Sequence, residues 1–140
     1  MAEWPLIQQG DTDSEESNGV FKVQSLLRHR GYDLGADHHF GPITAGKVTE
    51  FQSANGLTAD GIVGKQTWPR LIVEAAQGAS GDAVRAVQSQ WRFIDHDGVF
   101  GPQTDGLVRD FQQSTNLATD GIVGPQTWQA MGKGPIIDAQ

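Results

Sequence analysis

FGPITAGKVTEFQSANGLTADGIVGKQTW, from Phe40 to Trp68, returns sixty residues later as FGPQTDGLVRDFQQSTNLATDGIVGPQTW, from Phe100 to Trp128, with 17 of the 29 positions identical. An internal repeat of this strength decides the organisation of a 140-residue chain: two small copies, not one ordinary domain. The match extends upstream, where VFKVQSLL from Val20 pairs with VRAVQSQW from Val84 once four residues are dropped from the second copy. The gap falls between Arg30 and Asp37, so the first copy carries a longer loop, RGYDLGAD. A surface loop between helices tolerates such a change.

A finer pattern lies inside the repeat. DHHFGPIT, DGIVGKQT, DGVFGPQT and DGIVGPQT, beginning at Asp37, Asp60, Asp97 and Asp120, are four versions of one octet. Asp-Gly makes a tight reversal, a Gly follows where a helix N-cap belongs, and Pro42, Pro102 and Pro125 take the first helical position, where a missing N–H costs nothing. Thr44, Thr67, Thr104 and Thr127 sit in that first turn, with hydroxyls able to bond exposed backbone groups. Val63 and Val123 can close over Trp68 and Trp128 as hydrophobic staples.

Apolar spacing supplies the helices. Val20, Val23 and Leu27 follow a helical period after a cap at Asn18; Val84, Val87 and Trp91 do so after Asp82. A second helix is predicted from Pro42 to Ala54, burying Val48 and Phe51, and its twin from Pro102, burying Val108 and Phe111. A brief third helix ends near Leu71 in one copy and Met131 in the other. The expected fold is all-α, two tandem three-helix bundles. The first module spans 1–72 with its lead-in, a linker 73–80, the second module 81–133 and a C-terminal tail 134–140. In the linker, the run Leu71-Ile72-Val73 suggests a packed, fairly stiff connection. The acidic insert DTDSEES, Asp11–Ser17, reads as a mobile, solvated loop.

Composition excludes several function classes. Seventeen acidic against ten basic residues give a formal net charge of −7, and no basic run is present, so nucleic acid is not an expected partner. No apolar stretch approaches the roughly 20 residues that span a bilayer, and no membrane partner is expected. MAEWPLIQQG has neither the basic start nor the apolar core of a signal peptide. Cysteine is absent, which removes disulfides and thiolate chemistry.

The ordered set V..VQ..L, DG.FGP.T, V..FQ...GL and DGIVG.QTW, present twice, resembles the type 1 peptidoglycan-binding domain, and Trp4-Pro5-Leu6 is similar to the lead-in that precedes its first helix. His38, in place of the turn Gly, and the acidic insert depart from that pattern. The resemblance implies a three-helix bundle that accompanies wall hydrolases such as amidases, muramidases, lytic transglycosylases or zinc carboxypeptidases. Its implied partner is peptidoglycan, through glycan or stem peptide, with an associated hydrolase, and the implied location is secreted or wall-bound. A monomer is expected. An interaction protein reusing the fold, as an immunity protein, inhibitor or assembly factor, is the alternative, argued from the acidic charge and the lack of an attached hydrolase.

Residues with catalytic promise are few: no GxSxG elbow or HExxH motif occurs, and no catalytic residue is assigned. Asp37, His38 and His39 in the first copy and Asp95, His96 and Asp97 in the second occupy matching turns. Adjacent histidines bind metal only with a rigid frame and further ligands, so these are read as solvated turns in which Asp37 and Asp97 cap local amides, with no metal and no cofactor. Ligand contact is instead assigned to Tyr32, His38, His39, Phe93 and His96. Their aromatic and imidazole surfaces lie beside a helix N-terminus that favours a carboxylate such as a stem peptide provides. Trp68 and Trp128 are read as core, and Gln24, Gln52, Gln88 and Gln112 as buried amides bonding a turn.

Overall fold

The computed structural model describes residues 3–132 together with Gly134 and Ile137; the rest of the tail expected over 134–140 lies outside the described residues. Six helices follow in order: α1 Gly19–His29, α2 Pro42–Ala54, α3 Trp68–Leu71, α4 Asp82–Gln88, α5 Pro102–Ser114 and α6 Pro125–Met131. Among the described residues the only sheet-like pairing is a set of isolated bridges, so the fold is all-α, as the repeat predicts. Gly41, Gly101 and Gly124 are extended N-caps, each followed by Pro at the first helical position. Lys65 stands where the other three octets have Pro, and there regular helix begins only at Trp68.

All four octets are tied by the same knot. A buried Gln from the preceding helix donates through Nε2 to an Asp carboxylate, to a backbone carbonyl and to the Thr hydroxyl, and its Oε1 accepts the N–H of the residue after the Asp. Gln24 does this with Asp37, His39, Thr44 and His38. Gln52 does so with Asp60, Ile62, Thr67 and Gly61, and Gln88 with Asp97, Val99, Thr104 and Gly98. Gln112 completes the set with Asp120, Ile122, Thr127 and Gly121. The Thr hydroxyls, expected to serve the helix backbone, are therefore acceptors for a side-chain amide. A buried amide with its bonding capacity filled avoids the cost of about 1–3 kcal/mol that an unmet polar group carries.

Each copy is closed by an extended lead-in that lies against its second octet. Ile7 exchanges backbone hydrogen bonds with Val63 at 3.0 and 2.8 Å, and Ala75 with Val123 at 3.2 and 2.7 Å. Trp68 Nε1 donates to Pro5 O at 2.7 Å, and Trp128 Nε1 to Val73 O at 2.8 Å. Both rings are 2 % exposed and belong to the core. Residues 73–80, between the two copies in sequence, thus carry the same backbone bonds for the second copy as residues 5–12 carry for the first.

The two copies meet through α1 and α4. One continuous core runs across them, including Val23, Leu26 and Leu27 on one side and Val84, Ala86 and Val87 on the other. Lys22 is wholly buried at this seam, its Nζ donating to Gln90 Oε1 at 2.8 Å and to Gly132 O at 3.2 Å, both in the second copy. Burial pulls its pKa down to about 7, against a smaller upward pull from the Asp13 carboxylate.

Several local expectations change. Asn18 is not a side-chain cap for α1; its amide donates across the seam to Ser89 O at 2.5 Å. The cap comes from the acidic insert, where Asp13 accepts from Val20 N and Phe21 N, both at 2.9 Å. Two adjacent helix N–H groups and a carboxylate make a charge-assisted pair, which fixes a segment that composition alone marks as mobile. Asp82 lies in the first turn of α4, whose N-cap is Gly81. The longer loop is anchored too: Leu34 is buried and its carbonyl accepts from Arg28. Trp91 is core but lies beyond the end of α4, and Phe111 is only partly buried, its ring edge-on to Trp91.

Candidate functional site

The first octet of the first copy differs from the other three at one backbone position. Gly61, Gly98 and Gly121 have φ between 72 and 77°, and His38 holds φ 72° in their place. A β-carbon in this left-handed region costs roughly 1 kcal/mol, so the histidine is retained against a local preference for glycine. Its ring is held from two sides. Nδ1 donates to Asp13 Oδ2 at 2.9 Å, and the face stacks on Phe21 with centroids 4.9 Å apart and planes at 18°. In the second copy the residue matching Phe21 is Arg85, which packs over Gly98 and donates to His96 O.

Packing α1 against α4 brings this turn to the seam. There a cleft of about 240 Å³ is lined by Ser14, Asn18, Phe21 and His38 of the first copy and Ser89, Arg92 and His96 of the second. Among the described residues the lining includes no carboxylate, although acidic residues outnumber basic ones in the chain. His96 Nε2 donates to Trp91 O at 2.7 Å, which leaves Nδ1 as its second nitrogen. Arg92 is held at the rim by a hydrogen bond to Glu15 O. Among the described residues, Asn18 Oδ1 is the buried side-chain atom without a hydrogen-bond partner.

Of the five residues assigned to ligand contact, the cleft therefore gathers His38 and His96. Tyr32 is turned elsewhere: partly buried, it meets Phe51 edge-on at 6.2 Å. His39 is exposed and lies 3.3 Å from Thr12 Oγ1, and Phe93 is exposed without joining the lining. Sequence reasoning passed over Phe21, Asn18 and Arg92. The signal was present for Phe21, since Phe21 and His38 change together relative to Arg85 and Gly98.

A second kind of concavity occurs once in each copy, at its second octet. Leu57, Thr58, Asp60, Ile62, Gly64 and Thr67 line one groove beside Leu6. Leu117, Ala118, Asp120, Ile122, Gly124 and Thr127 line the other beside Glu74. Their volumes are about 270 and 470 Å³, and Leu6 and Glu74 are equivalent positions of the two lead-ins.

Electrostatically the octet carboxylates belong to the turns. Asp37 lies below the usual carboxylate range chiefly because the His39 N–H bonds it, then the Gln24 amide. The Val99 N–H and Gln88 do the same for Asp97, and the Ile122 N–H leads for Asp120. These are anchored acceptors, not proton carriers poised near neutrality. Among the described residues no group of three or more His, Asp or Glu side chains is arranged to hold a metal ion.

Known proteins resemble the chain along most of its length. It is 39 % identical over 95 residues to an "Uncharacterized protein in bpoA1 3'region" of Kitasatospora aureofaciens, covering 64 % of this chain and 75 % of that one. Identity is 32 % to the zinc D-Ala-D-Ala carboxypeptidase of Streptomyces albus G, covering 68 % of this chain and 39 % of the relative. It is 34 % to the N-acetylmuramoyl-L-alanine amidase CwlM of Mycobacterium tuberculosis, covering 91 % and 39 %. The chain thus spans about two fifths of the length of these two enzymes. The family model described as "Putative peptidoglycan binding domain" matches twice, over residues 16–71 and 80–131, and with both halves of the repeat accounted for, the chain belongs to that family.

Proposed function

We propose that the chain is a non-catalytic module that binds peptidoglycan at two equivalent grooves and so holds a protein at the bacterial cell wall, outside the membrane. The observation that carries this reading is the duplication of the groove, built from the same positions at the second octet of each copy. A repeating polymer suits such a pair, because the second contact is intramolecular and gains from effective concentration. The names of the two enzyme relatives support a hydrolase as the attached partner. Exposed Phe93 and His39 serve in this reading as accessory faces for sugar or peptide groups.

Co-sedimentation with purified sacculi tests the proposal, and release of soluble fragments is followed in the same tubes. Thr58 and Ala118 are exposed groove positions, one in each copy. Thr58→Arg or Ala118→Arg alone is expected to weaken sedimentation about tenfold, and the double variant to abolish it. A folded parent that stays in the supernatant would overturn wall binding, and solubilisation of the sacculi would overturn the non-catalytic reading.

A further inference from the structure

The two grooves share most of their lining and differ in charge. At equivalent positions the first copy carries Leu6 and Lys65 where the second carries Glu74 and Pro125. The first groove therefore sets one cation against the turn carboxylate of Asp60. The second sets Glu74 beside the carboxylate of Asp120, and among the described residues no Lys, Arg or His joins its lining. We propose that the groove of the second copy takes a peptide side chain ending in a primary ammonium group, and that Glu74 is the residue that selects it. This deepens the wall-binding reading and rests on the groove assigned there.

Glu74 is exposed, and among the described residues its carboxylate has no hydrogen bond or ion pair. Its backbone is nevertheless fixed on both sides. Val73 O accepts from Trp128 Nε1 at 2.8 Å, and Ala75 exchanges two hydrogen bonds with Val123. The lead-in thus roots the acid at the groove and leaves its charge open to a ligand, so binding orders one side chain and no backbone. Asp120 contributes a fixed charge instead of a free partner. Its Oδ1 accepts from the Ile122 N–H and the Gln112 amide, and these bonds, the first above all, hold it below the usual carboxylate range. Arg109, the cation whose field reaches Asp120, is paired with Asp105 at 3.0 Å and lies outside the lining. Half-buried Leu117 and exposed Ala118 and Ile122 supply an apolar wall. An alkyl stem lies along such a wall while its ammonium head meets the carboxylates. Two negative charges repel a ligand carboxylate, and an uncharged alkyl group leaves Glu74 unmet.

The test uses the full chain and three probes with blocked termini: Nα-acetyl-lysine amide, its Nε-acetyl derivative and Nα-acetyl-norleucine amide. Binding is followed by the backbone NMR signals of Glu74, Ala118 and Ile122. The lysine probe is expected to shift these signals, and the two uncharged probes to bind about fivefold more weakly, the scale of one exposed ion pair. Glu74→Gln keeps the size and removes the charge, and Glu74→Leu installs the residue of the first groove; both are expected to erase the preference. Equal binding of the three probes, an unchanged preference in either folded variant, or shifts of the same size in the first groove would overturn the proposal. Sacculi give the second arm. Acetylating their free amines is expected to weaken sedimentation of the parent about fivefold and to leave Glu74→Gln unaffected. Sedimentation without selectivity among the probes sinks the ammonium and leaves wall binding; selectivity without sedimentation does the reverse.

Discussion

The first copy and the second are tied by the same glutamine knots yet begin differently. Helix α1 has eleven residues and a carboxylate cap delivered from an insert, whereas α4 has seven and starts from a bare glycine. The difference shows what extra residues were used for. Four in the insert and four in the following loop leave the core and the knots unchanged, and they build one wall of the seam: Asp13 caps α1 and steadies His38, and Leu34 pins the longer loop. The second copy contributes the opposite wall with no insertion at all. Repetition supplies the frame, and departure from repetition supplies the cleft.

The largest expected effect tests whether the copies are equal as frames. Trp68→Ala and Trp128→Ala each leave a cavity and release a lead-in, at a cost of about 3–5 kcal/mol. Because one core runs through both copies, either change is expected to lower a single unfolding transition, read by urea titration. Two separate transitions would mean that the copies are independent.

Lys22 gives the next effect. Its ordinary pKa of 10.5 falls to about 7 on burial, so between these values the unfolded chain holds a proton that the folded chain has released. Stability from this group therefore rises with pH across that window, by about 1.4 kcal/mol per unit, while below pH 7 the full desolvation cost stays. Lys22→Met is expected to remove that slope, seen as the parent-minus-variant difference in urea midpoint at pH 7, 8 and 9. A parallel pair of curves would show that the amine is reached by water.

The smallest effect sharpens the contrast at the turn. His38→Gly relieves the backbone but loses the Asp13 bond and the Phe21 stack, for a net change within about 1 kcal/mol. The reciprocal Gly98→His is expected to cost about 1–2 kcal/mol, since a β-carbon there sits 3.2 Å from Gly81 O and 3.4 Å from Arg85. Equal and opposite shifts in melting would show that the two turns are interchangeable.

The helices, their prolines and the buried faces were legible because each is a local matter: the bounds of α2 follow from Pro42, and the burial of Val48 and Phe51 from spacing. Even the glutamines read correctly as turn-bonding amides. The role of Asp13 was not legible, because composition averages over an insert and one capping carboxylate is lost among its neighbours. Nor was the cleft. It depends on α1 meeting α4, and nothing in the spacing of either helix says which partner covers it. Tyr32 and His38 stand close in sequence, yet one ring goes to Phe51 and the other to Phe21.

The position that matches Lys22 in the second copy is Ala86, also fully buried. A contact that laid α1 against another α1 would bring two buried amines into one seam, and one that paired α4 with α4 would bring none. The unlike pair gives the amine its acceptors, Gln90 Oε1 and Gly132 O. One lysine thus sets which helix α1 accepts as its partner, because a like-with-like contact would strip the buried amine of both acceptors.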